Sequence, residues 1–130
     1  MREFLIAASL ALLAAPAGAA TNPPIAPAQA AANIGACMTV EGRAAMFQDT
    51  QRFGVDIDLG DRDESSSPVF VAYVPSPGAL PDLQSLDGQT VDITGVVYME
   101  RGRAEIMLSN PEQIMQAGTD PGKLVTCDND

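Results

Sequence analysis

The densest run of reactive side chains lies between positions 56 and 64, where Asp56, Asp58, Asp61, Asp63 and Glu64 gather five carboxylates. Paired carboxylates can move protons or hold a hard cation. Asp56 and Asp58 are one strand step apart and share a face, and Asp61-x-Asp63-x-Ser65 has the opening spacing of a calcium loop. The later Gly and the distal bidentate Glu of such a loop are missing. Weak divalent binding by Asp56, Asp58, Asp61 and Asp63 is therefore set against a solvated acidic loop, and the second reading is favoured. Catalysis has less to work with. The chain has no His, and Ser65, Ser66 and Ser67 sit in a polar stretch without an evident base. A matched acid and base is lacking, so the expectation is no enzyme and no cofactor.

The two cysteines, Cys37 and Cys127, are the other chemically loaded residues. Their compartment follows from the N-terminus. Arg2 is followed by an apolar run over residues 4–15, broken by Pro16 and closed by Ala17, Gly18, Ala19 and Ala20. That is the layout of a secretory leader over residues 1–20, too short to span a bilayer. Cys37 does not follow the apolar run directly, which argues against a lipid-anchored cysteine. A periplasmic or secreted location is expected, and there the pair should close a disulfide. Such a ring of about 90 residues would stabilise a small core by roughly 4–5 kcal/mol in the chain-entropy model.

Charge limits the partners. The chain carries 7 Lys+Arg against 17 Asp+Glu, net −10, and loss of Arg2 and Glu3 with the leader leaves that unchanged. An acidic surface repels phosphate backbones and favours cations or basic partners. The local exception is Arg101 and Arg103, flanking a predicted hairpin turn, with Arg43 as a candidate neighbour. Aromatics beyond the leader are few: Phe47, Phe53, Phe70, Tyr73 and Tyr98, of which Phe53 has the buried parity of its strand.

These residues need a scaffold, and the pattern supplies one. Residues 21–36 are rich in Pro and Ala and read as a flexible linker. From Met38 the period becomes two: Met38, Val40, Gly42, Ala44 and Met46 on one side, Thr39, Glu41 and Arg43 on the other. Phe53, Val55, Ile57 and Leu59 alternate in the same way, and residues 69–74 are apolar on both faces. Leu80, Leu83 and Leu86 have helical spacing, with Gly88 placed to end a short helix. Residues 90–99 and 104–108 read as two further strands joined by Arg101-Gly102, and residues 112–116 as a last helical turn. The expectation is one all-β domain over residues 37–130, a small Greek-key β-barrel with a C-terminal tail. Its five strands have one short helix between strands 3 and 4, the plan of an OB fold. Gly42 and Gly95 would serve its bends. An SH3-like barrel would not usually place a helix there.

The resemblance is carried by Leu86-Asp87-Gly88-Gln89-Thr90-Val91-Asp92-Ile93-Thr94-Gly95, by Arg101-Gly102-Arg103-Ala104-Glu105-Ile106 and by Asn110-Pro111-Glu112-Gln113-Ile114. Together they resemble the second half of bacterial exported OB-fold domains, and Val40-Glu41-Gly42-Arg43 is similar to their first strand. The likeness spans about residues 38–114 and implies the fold more than an activity, since OB folds host unrelated functions. It implies ligand contacts at the last hairpin. Arg101 and Arg103 at that hairpin, and the outward set Arg43, Phe47, Tyr98 and Met107 across neighbouring strands, are the binding-face candidates. A non-catalytic binding module for a protein, peptide or saccharide is the reading kept, by elimination. Single-stranded nucleic acid is the alternative and a weak divalent-cation binder the second.

Overall fold

In the computed structural model, residues 23–60, 68–80, 82–118 and 127 are described. The predicted leader, the acidic positions Asp61 and Asp63, and residues 119–126 of the tail lie outside them. Among the described residues no helix is long and apolar enough to cross a membrane.

The fold is all-β. Among the described residues seven strands form one mixed sheet: β1 (Cys37–Gln48), β2 (Val55–Leu59), β3 (Phe70–Val74), β4 (Thr90–Val96), β5 (Tyr98–Glu100), β6 (Arg103–Met107) and β7 (Ile114–Gln116). Their order is β5-β6-β3-β2-β1-β4-β7. Of these strands only β3 and β6 pair in parallel. The period-two pattern forms the ladders because it turns Val40, Ala44, Ile57, Leu59, Phe70, Ala72, Val74, Val91, Ile93, Ala104 and Ile106 to a single core. β3 is buried along its whole length, as its unbroken apolar run requires.

Four expectations change. The sheet has seven strands, not five, and its ladder is not closed: β5 and β7 form its two edges. The strand predicted over residues 90–99 divides at the buried Val97, whose amide and carbonyl turn to Ala36 and Gly35 instead of to a neighbouring strand. β4 thus pairs with β1 while β5 pairs with β6. The expected helix is two short 3-10 turns, Pro77–Ala79 and Leu83–Leu86, although Leu80 and Leu83 are buried as predicted. The predicted last helical turn is a 3-10 turn, Pro111–Gln113, followed by β7.

The stretch read as a flexible linker is folded from Ile25 onward. Ile25 bridges to Val40 in parallel, donating to the Thr39 carbonyl and accepting from the Glu41 amide at 2.8 and 2.9 Å. It uses the part of β1 that β2 is too short to pair. A 3-10 helix, Pro27–Asn33, then places Ala30 fully inside the core. Small side chains made this segment look unstructured, yet they are what fits it against the sheet. Gly42 helps, since a Cβ there would come 3.0 Å from Pro27.

Cys37 and Cys127 are joined in a disulfide, with 5.8 Å between their Cα atoms. The ring closes on β1 beside β4, where Cys37 is in register with Val96.

Candidate binding face

The side of the sheet away from the core carries the charge. Register puts Phe47, Asp56, Tyr73 and Met107 in one transverse row over β1, β2, β3 and β6. The next row on that side is Asp58, Val71, Glu105 and Tyr98. Phe47 and Met107 are exposed at the ends of the first row, at 45% and 46%. In the centre Glu105 is fully buried and Tyr73 nearly so.

Two loops close over this centre. The β1–β2 loop is shaped by Asp49, whose carboxylate accepts from the Gln51 and Arg52 amides at 2.9 and 2.8 Å. That brings Arg52 back over the sheet. Its guanidinium lies 3.8 Å from the Tyr73 ring centre and donates to both Glu105 oxygens at 3.1 Å. It also reaches Asp49 at 3.0 Å and Asp56 at 3.4 Å. The hairpin between β5 and β6 turns at Arg101 and Gly102, both left-handed. From it Arg101 donates to Gln51 at 2.6 Å and to Asp49 at 2.9 Å, fastening one loop to the other. Arg103 completes the lattice through Glu105 at 3.0 Å and Asp56 at 3.4 Å, and the Tyr98 hydroxyl donates to Glu105 at 3.0 Å.

This arrangement satisfies the rule that a buried charge needs a partner. It also separates two neighbouring carboxyls. Burial alone would raise Asp49, but the Arg52 amide, the Arg52 and Arg101 guanidinia and the Gln51 amide hold it well below the usual range. Asp56 is pushed up to about 6, first by burial and then by Asp49, against the pull of Arg103 and Arg52. The Tyr98 hydroxyl is raised by burial and by Glu105.

Of the predicted face residues, Tyr98, Arg101 and Arg103 enter the lattice, and Phe47 and Met107 flank it. Arg43 does not join; it is in register with Thr90 on β4. Asp56 is held by arginines, and Asp58 is buried in register with Val71. Among the described residues no group of three or more His, Cys, Asp or Glu side chains is placed to hold a metal. Phe53 departs from its expected burial. It belongs to the loop, with φ +67°, and is 82% exposed, because β2 starts only at Val55. Asp49, Arg52, Tyr73 and Glu105 are the residues that sequence reasoning missed. Arg103 and Glu105 sharing one side of a strand was the available signal.

A second acidic feature lies across β1 and β4, where Glu41 and Asp92 are direct register partners. Burial and the Glu41 carboxyl raise Asp92 to about 6, and its Oδ1 is buried without a hydrogen-bond partner. Glu41 also borders a shallow groove of about 340 Å³ with Pro24, Ile25 and Ala26.

No family model matches the chain, and no curated protein sequence matches it. Among solved structures, it is similar to a putative aspartyl-tRNA synthetase from Leishmania major Friedlin, with a TM-score of 0.46 and 16% identity. That likeness covers 79% of this chain and 23% of the synthetase chain.

Proposed function

We propose that the protein is an exported, non-catalytic binding module on an OB-like barrel plan, using the face around Glu105 to hold a protein or peptide of the cell envelope. One observation carries the reading. Exposed Phe47 and Met107 end the row across a centre whose three arginines are each matched by carboxylates and whose two loops are tied together by Arg101, and exposed Phe53 lies in one of those loops. Rigid apolar anchors around a desolvated hub suit a protein interface. The barrel plan is supported by the antiparallel β1–β4 pairing and the parallel β3–β6 pairing, with residues 90–100 passing from β4 beside β1 to β5 at the opposite edge of the sheet. Export is supported by the leader-like start and the disulfide.

The test is affinity capture from envelope extract, comparing the wild-type chain with a Phe47→Ser/Phe53→Ser variant of unchanged melting temperature. A partner retained by the first and lost by the second is expected. Identical retention by both chains would remove this face from the binding surface. A saccharide ligand instead would appear as capture by glycan and not by protein, with the same dependence on the two phenylalanines.

A further inference from the structure

The face just described holds the parts of a different binder. Arginines and aromatic rings on one sheet are what single-stranded nucleic acid uses: bases stack on the rings and guanidinia take the phosphates. Arg52, Arg101 and Arg103 share this face with Tyr73, Tyr98 and Phe47. Among the described residues the remaining cation is Arg43, so the face concentrates the positive charge of an otherwise acidic chain.

Yet every one of the three guanidinia is already spent on carboxylates. Arg52 is bound by Glu105, Asp49 and Asp56; Arg101 by Asp49; Arg103 by Glu105 and Asp56. Arg52, Arg101 and Arg103 stand against Asp49, Asp56 and Glu105, with Glu100 4.0 Å from Arg101 and Asp58 buried in the row of Glu105, so the centre has no excess of positive charge. Arg52 also covers the Tyr73 ring, where a base would stack. Phosphate affinity depends on uncompensated cations that release counterions, and here the compensation is internal. Glu105 is the keystone, accepting from Arg52 twice, from Arg103 and from Tyr98 while fully buried.

We infer that Glu105, with Asp56 at its edge, is the specificity-determining residue of this face: it neutralises Arg52 and Arg103 and thereby excludes single-stranded polyanions in favour of a protein partner. The inference rests on the binding-face reading above. Its consequence is that uncharging one of these carboxylates should change the class of ligand and not merely weaken the fold.

The experiment titrates a labelled oligothymidylate of about 15 nucleotides into the wild-type chain, Glu105→Gln and Asp56→Asn, at about 50 and 200 mM salt. Asp56 has a side-chain exposure of 15%, so its variant guards against a Glu105→Gln chain that fails to fold. The wild type is expected to stay silent. Each folded variant should bind about tenfold or more tighter than the wild-type limit at the lower salt. Its log–log salt slope should steepen by about 0.7 for each phosphate that a freed arginine neutralises. A purely structural role for Glu105 would lower the melting temperature and leave that slope at zero. Silence from folded variants beside a silent wild type overturns this inference alone. Salt-sensitive binding by the wild type overturns both it and the protein-partner reading.

Discussion

Two acidic regions of the same sheet meet the cost of buried charge in opposite ways. Around Glu105 each of Asp49, Asp56 and Glu105 has a guanidinium beside it, and no excess of positive charge is left. Across β1 and β4, Glu41 and Asp92 face each other with no described cation between them, and one Asp92 oxygen has no partner. The first region sets a guanidinium beside each of its carboxylates. The second takes up a proton only as the pH falls through about 6. The difference teaches what each group of charges fastens: the lattice ties two loops together, whereas the carboxyl pair lies on strands β1 and β4 that their backbone ladder already joins.

The largest expected effect lies on the β1–β4 side. Reducing Cys37–Cys127, which closes a sequence separation of 90, should cost about 4–5 kcal/mol in the chain-entropy model. Urea midpoints with and without reductant measure it. Equal midpoints would mean that ladders alone hold the acidic pair in register. Next comes the lattice. Glu105→Ala leaves Arg52 and Arg103 facing a buried void and should cost about 3–5 kcal/mol. A loss below about 1 kcal/mol would show that water replaces the carboxylate and that the two regions are less different than their geometry indicates.

Each region contributes one raised carboxyl to the pH dependence. Asp92 and Asp56 each have a native pKa of about 6 against an ordinary value of 3.8. Between those values the native state binds more protons than the unfolded chain, so stability falls as pH rises through the window. Asp49 acts in the reverse sense, adding stability above its ordinary value of 3.8 that is lost on further acidification. Asp92→Asn should therefore stabilise the fold by about 1 kcal/mol at neutral pH and by nothing near pH 4, discounting for its partial exposure. Urea titrations at the two pH values check this. A gain of the same size at both would take the proton out of the explanation.

The smallest effect concerns the loop that the lattice fastens. Phe53 adopts a left-handed backbone at 82% exposure, a conformation that Gly takes without strain. Phe53→Gly should raise stability by about 0.5–1 kcal/mol while weakening partner capture. A loss of stability would mean that the ring packs on its surroundings more than its exposure indicates.

How much of this was legible depends on range. The alternation from Met38 to Met46 and over residues 55–59 gave the ladders, and residues 69–74 gave the doubly covered strand, because side-chain parity is local. The break at Val97 was hidden, since Val96 and Val97 continue an apolar run and the turn comes from bonds to Gly35 and Ala36. Ala30 was hidden for a related reason: small residues read as linker until a partner surface is known. In the site, Tyr98, Arg101 and Arg103 could be found because they flank one hairpin. Glu105 could not. Its chief partner, Arg52, lies 53 positions away, and an outward-facing glutamate looks solvated until that arm is seen to cover it.

The disulfide has a mechanical side. It bridges the start of β1 to Cys127, so tension applied through the two ends of the chain would pass across the sulfur bond and bypass the whole sheet. What could be drawn out is the folded segment ahead of Cys37, anchored by the two backbone bonds of Ile25 and by those of Gly35 and Ala36 to Val97. Residues 23–36 would lengthen by at most roughly 50 Å, at about 3.5 Å per residue, before the pull reached a covalent stop.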